Sequence, residues 1–365
     1  MNKVQQLHEL GQSVWLDSIS RAMLRPPGDL ARRVDEGIRG VTSNPTIFEK
    51  AVGGSDDYDG QIAEIIARGA DLTPAEVFEE LAVTDIQAAC DLLRPVYDAA
   101  DGNDGFVSIE VAPDLAYDTA GTVVAARRLW AAVDRPNVMV KVPATDQGII
   151  AVADLVSEGL NINITLMFSL AVYEAVADAY IRGLESRPNP SGIVSVASFF
   201  VSRVDTKTDA ALEKVGSEEA LERRGLTAIA NAKLVYRRYQ ELFEGERFAR
   251  LAELGAKPQR VLWASTSTKN PDYPDTMYVD GLIGPNTVNT MPPDTVTAFN
   301  DHGTVATTLT EGVAEAADFI GSLADVGVSY DEVTQELQIE GVQAFADSME
   351  DLYATIASEI EHVAG

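Results

Sequence analysis

A short apolar run rich in β-branched residues, a polar residue near its exit and then a helical pattern recur along this chain. This rhythm restricts the fold more than any other feature. The runs are "SVWLD" at 13–17, "GVTSN" at 40–44, "FVSIEV" at 106–111, "VMVKVP" at 138–143, "NINITLMF" at 161–168, "GIVSVASFF" at 192–200, "VLWAST" at 261–266 and "MYVDGLI" at 277–283. Helical patterns fill the gaps, among them "TPAEVFEELAVTDIQAACDLLRPVYDAA", which opens on a Thr-Pro start signal. Eight alternations predict an α/β fold, a (β/α)8 TIM barrel, with a doubly wound open sheet as competitor. A length of 365 residues suits one barrel with insertions, so 1–365 reads as a single (β/α)8 barrel domain. "KVQQLHELG" reads as an extra N-terminal helix over the barrel floor and the stretch from Tyr330 as extra C-terminal helices. Residues 51–71 and 267–275 read as long loops.

One strand contains an oddity. Four of the five residues 138–142 are apolar and the fifth is Lys141. An ammonium is almost never buried unpaired, so Lys141 either snorkels past the strand end or is there for altered acidity. Its company favours the second reading. In a barrel, functional groups sit at the C-terminal ends of the strands. Those ends here supply Asp17, Asn44, Glu110, Lys141, Thr165, Ser198 and Ser265. Alternation puts Asn161, Asn163 and Thr165 on one face of their strand, and turns Val138, Val140 and Val142 away from Lys141. Taken singly, a strand-end Asp or Asn is a turn or cap residue; their convergence on one rim predicts a site. A lysine among apolar neighbours loses solvation of its charged form. The neutral amine then attacks a carbonyl to form a Schiff base, with Asp17 and Glu110 placed to move protons.

Charge and composition exclude other classes. A net charge of −29 and the absence of a basic stripe argue against nucleic acid. No run approaches the ~18 apolar residues of a membrane span, and "MNKVQQLHEL" has no signal-peptide core, so a cytoplasmic location is expected. The lone Cys90 fits a reducing compartment and reads as packed core. "SDDYDGQIAEII" lacks the first and last acids of a calcium loop.

The ordered motifs "VTSNPTIF", "SIEVAPDLAYDT", "VMVKVPATDQGI", "NINITLMFSL" and "SFFVSR" make residues 13–269 resemble the transaldolase family. The resemblance implies a (β/α)8 barrel without metal or cofactor that moves a dihydroxyacetone unit between sugar phosphates. By the same resemblance, Lys141 matches the Schiff-base lysine and Asp17 the aspartate acting on the C4 hydroxyl. Glu110 and Thr165 match the pair working through a water. Asn44 and Asn163 match contacts to the dihydroxyacetone moiety, and Ser198 fits a hydroxyl-binding position. Arg203 and Ser265 fit the phosphate end. The family commonly has an arginine just after the seventh strand; here "WASTSTKN" offers Lys269 two positions later.

Three functions compete. The first is transaldolase: sedoheptulose 7-phosphate and glyceraldehyde 3-phosphate giving erythrose 4-phosphate and fructose 6-phosphate. The second is a fructose 6-phosphate aldolase, whose relatives carry a tyrosine where this chain has Phe200. The third is a catalytically silent sugar-phosphate binder. Sequence leaves monomer and homodimer both open.

Overall fold

The computed structural model describes residues 1–26, 28–69 and 72–364. Seven parallel strands run β1 (Gln12–Leu16), β2 (Val107–Glu110), β3 (Val138–Pro143), β4 (Ile162–Met167), β5 (Ser195–Phe200), β6 (Arg260–Ala264) and β7 (Thr287–Met291). Their spatial order is β1-β7-β6-β5-β4-β3-β2. β1 and β2, at the two ends of that order, are joined by the backbone around Val41. Leu16 N donates to Gly40 O (2.9 Å), Thr42 N to Leu16 O (2.9 Å), Val41 N to Phe106 O (2.9 Å) and Ser108 N to Val41 O (3.0 Å). The expected α/β barrel is borne out.

Strand residues are buried almost throughout, because helices cover the outer face and side chains fill the interior. Helix starts follow their local chemistry. Thr73 and Glu76 form a reciprocal capping box at Pro74–Ala99, Asp118 caps Thr119–Val133, and Thr145 caps Asp146–Glu158. Helix Lys3–Glu9 precedes β1 and packs Val4 and Leu7 inward.

The structure corrects several expectations. The run at 40–44 forms no full strand; its pairing is confined to the residues around Val41. The run at 277–283 is not a strand either. Met277–Asp280 is a short helix, where Thr276 Oγ1 donates to Asp280 Oδ2 (3.0 Å), and the last strand is "TVNTM". Residues 51–71 are largely helical rather than a loop, spanning the end of Pro45–Gly53, a 3-10 turn at Asp56–Tyr58 and Asp59–Ala67; residues 70 and 71 lie outside the described residues. The tail is one helix, Tyr330–Ala364.

A buried cluster fixes the connection that follows β1. Arg21 Nε donates to Asp85 Oδ1 (2.9 Å), Tyr58 OH donates to Asp85 Oδ2 (2.8 Å), and the Arg21 guanidinium lies 4.4 Å from the Tyr58 ring centroid. Asp85→Ala strands the guanidinium without its carboxylate and is expected to cost about 3–5 kcal/mol in urea unfolding. A loss under about 1 kcal/mol would show that this cluster does not hold the segment.

Candidate active site

The C-terminal ends of the strands surround a cavity of about 340 Å³. Eight of the residues expected from sequence line it: Asp17, Asn44, Lys141, Thr165, Ser198, Arg203, Ser265 and Lys269. Glu110 and Asn163 do not. Strand register explains their nearness all the same, since Glu110 and Asn163 flank Lys141 on the neighbouring strands β2 and β4.

Lys141 is 5% exposed and does not snorkel. Its Nζ donates to Glu110 Oε2 (3.0 Å) and to Ser43 O (3.1 Å), and it stands 5.4 Å from the Phe345 ring centroid. To the apolar neighbours that the sequence implies for this amine, the structure adds an ion pair and an aromatic ring. Burial pushes the Glu110 carboxyl above its ordinary range; the Lys141 charge and hydrogen bond oppose this and Asp17 adds to it. Asp17 is raised as well, first by burial, against a hydrogen bond from Thr42 and the charges of Lys141 and Lys269. Thr42 Oγ1 donates to Asp17 Oδ1 (2.6 Å) and lies 2.7 Å from Thr290 Oγ1.

Two strand exits carry backbone that side chains other than glycine rarely adopt. Leu166 has φ +61° at a register shift in β4, and Ser265 has φ +56° just after β6. The first follows Thr165, whose fully buried Oγ1 has no hydrogen-bond partner. The second lets Ser265 O accept from Ser202 N (2.9 Å), fixing the first turn of Ser202–Val215 and thereby Arg203 beside Ser265.

Asn163 lies beneath the cavity floor. Its Nδ2 donates to Ser108 Oγ (3.0 Å) and its Oδ1 accepts from Ser198 Oγ (2.6 Å), so it orients Ser198. Asn44 has a split position: its Oδ1 caps helix Pro45–Gly53 by accepting from Ile47 N (3.0 Å), while the residue still borders the cavity. Both the cap reading and the site reading of this asparagine therefore apply.

Cations gather at the mouth. Burial lowers the Arg203 guanidinium pKa, and Arg203 stacks 5.5 Å from the Phe200 ring centroid. Lys269 Nζ donates to Ser267 Oγ (2.7 Å). Lys50, which sequence reasoning missed, also lines the cavity. Among the described residues none of the three is ion-paired with a carboxylate, in a chain of net charge −29. Thr42, Thr290 and Phe345 were missed too. Thr42 sits inside "VTSNP", a signal available in the sequence, whereas Phe345 belongs to a helical stripe whose target the sequence does not name.

Among the described residues no helix is long and apolar enough to cross a membrane. Comparison with known proteins matches residues 14–356 to the model of the Transaldolase/Fructose-6-phosphate aldolase family. A transaldolase of Thermobifida fusca is 48% identical over 363 residues, 98% of each chain. One from Frankia alni is 48% identical over 365 residues, again 98% of each chain. A transaldolase of Thiobacillus denitrificans is 47% identical over 361 residues, 98% of this chain and 100% of its own. The expectation of a transaldolase is thus borne out, and the chain belongs to the transaldolase/fructose-6-phosphate aldolase family.

Proposed function

We propose that the protein transfers a dihydroxyacetone unit from sedoheptulose 7-phosphate to glyceraldehyde 3-phosphate, giving erythrose 4-phosphate and fructose 6-phosphate, through a Schiff base on Lys141. The observation that carries this reading is the buried Lys141–Glu110 pair at the edge of a cavity that Lys50, Arg203 and Lys269 also line, none of these three ion-paired among the described residues.

In the resting pair the ammonium faces a carboxylate whose proton affinity burial has raised. Transfer of one proton to Glu110 frees the amine to add to the ketone carbon and give a carbinolamine. Glu110 then returns the proton to the departing hydroxyl, which leaves as water, and the iminium forms. Thr165 Oγ1, lacking a protein partner, is available to hold that water. Asp17 takes the proton of the C4 hydroxyl, the C3–C4 bond breaks, and its electron pair moves onto the iminium as the aldehyde leaves. An acceptor aldehyde reverses these steps. Asn44 and Ser198 contact the hydroxyls of the three-carbon unit, with Asn163 acting on it through Ser198.

Arg203, Ser265 and Lys269 hold the phosphate, aided by the N-terminus of Ser202–Val215. Lys50 stands on helix Pro45–Gly53, above Asn44, and adds positive potential at the mouth. Arg203→Ala is expected to raise KM for fructose 6-phosphate about 10–100-fold, the loss of a charge-assisted contact. Lys50→Ala is expected to act the same way but within about 5-fold, and to diminish at high salt. Equal losses with unphosphorylated dihydroxyacetone donors would refute the phosphate assignment.

The direct test is reductive trapping: incubation with fructose 6-phosphate and borohydride, then peptide mass mapping. An adduct on Lys141 is expected, and its absence ends this reading along with its Schiff-base chemistry. Phe200 lines the cavity and has no proton to donate, which favours transfer over release of free dihydroxyacetone. Dominant release of dihydroxyacetone in the presence of erythrose 4-phosphate would favour the aldolase reading.

The pH profile follows from the same pair. The active form needs Glu110 as carboxylate to accept the lysine proton, so activity falls as pH drops through a pKa raised by burial. The acid limb of kcat/KM should therefore lie above the ordinary carboxylate range, and a limb at the ordinary glutamate position would contradict this.

A further inference from the structure

Glu110 does not line the cavity that receives Lys141, Asp17 and the mouth cations. It lines a second cavity of about 260 Å³, roofed by the C-terminal helix through Met349 and Tyr353 and walled by helices Pro74–Ala99 and Thr119–Val133. The second cavity has three zones. Its rim carries the exposed Glu76, Asp114 and Arg128. Its middle is apolar, with Phe48 and Phe78 packed edge to face at 5.3 Å. Its inner end presents Ser43, Asn44 and Glu110, and two of these residues, Ser43 and Glu110, are the ones that Lys141 Nζ contacts.

We propose that this second cavity is the passage through which the water of Schiff-base chemistry reaches and leaves Glu110. The inference rests on the Lys141 reading above. Each catalytic cycle releases one water when the carbinolamine dehydrates and takes up one when the final iminium is hydrolysed. In hydrolysis the water oxygen bonds to the iminium carbon and its proton goes to Glu110. The carbon–nitrogen bond then breaks as the ketone forms, and Lys141 recovers a proton. A sugar phosphate filling the first cavity obstructs that route to bulk solvent. Free water entering there after the first aldehyde departs would also hydrolyse the intermediate before an acceptor arrives. Delivery from the side, along an apolar middle zone, sends water to the one carboxylate that uses it. The inner end supplies the two to four polar partners that an ordered water needs.

The test fills the middle zone from helices that carry no part of the site, using Ala82→Leu and Ala125→Leu, each with circular dichroism and thermal melting as a check on folding. The readout is incorporation of oxygen from H2 18O into the C2 carbonyl of fructose 6-phosphate without acceptor, measured beside KM for the same sugar. The expected result is an exchange rate reduced at least about 10-fold, KM within about 2-fold, and a larger borohydride-trapped fraction during turnover. A folded variant that exchanges at the wild-type rate overturns the proposal. Should Leu at either position unfold the protein, Ala82→Val is the milder filling with the same criterion. If the wild-type protein itself neither exchanges oxygen nor forms the Lys141 adduct, the functional reading has failed and the passage with it; exchange in the wild type isolates the passage as the point at issue.

Discussion

Lys141→Ala is expected to lower kcat by about 10⁴-fold or more while the barrel stays folded, because the amine that forms the covalent link to the ketone is lost and the other two lysines of the cavity, Lys50 and Lys269, are exposed at its mouth. Folding should survive for a reason visible in the pair. Removing the ammonium leaves Glu110 buried, but its carboxyl is already raised by desolvation and takes a proton rather than remaining charged. Far-UV circular dichroism should be unchanged, and the borohydride adduct with fructose 6-phosphate should vanish. Residual turnover within about 100-fold of wild type would mean that chemistry does not pass through this amine.

Glu110→Gln is expected to lower kcat by about 10²–10⁴-fold, the usual range for a lost general acid–base. Glutamine keeps the shape and an acceptor for the lysine at 3.0 Å, yet it cannot take the proton that frees the amine. Single-turnover trapping should therefore show slow adduct formation, with KM for fructose 6-phosphate moving by less than about 3-fold, since the phosphate contacts lie elsewhere in the cavity. An unchanged kcat would remove Glu110 from the proton path.

Much of this could be read from residues alone, and the failures have physical causes. Strands such as 138–143 announced themselves because parallel strands buried on both faces are dense in β-branched apolar residues. "TVNTM" carries a weak strand signal, since it holds only two strongly apolar residues. "MYVDGLI" carries a stronger one, because strand propensity reports fit to a half-buried pleated surface and a short helix burying Tyr278 and Val279 has the same composition. The rim polars were legible through alternation, which assigns a face but not a depth. That is why Asn163, on the right face, proved to lie under the floor. Lys141's immersion was legible, but its ion pair depended on β2–β3 register, which is a tertiary fact. Lys50 and Phe345 were hidden for a related reason: nothing local says that a helix end or a distant helical stripe will overhang one particular cavity.

The helix Tyr330–Ala364 closes the site from above through Phe345, and it lies beyond every strand of the barrel in chain order. All seven strands end before this helix begins, so the reactive rim and its aromatic cover come from separate stretches of the chain. Competence to react is thereby tied to a segment outside the barrel: a chain clipped before residue 345 keeps every acid, base and nucleophile of the rim and loses the aromatic ring that stands over the amine.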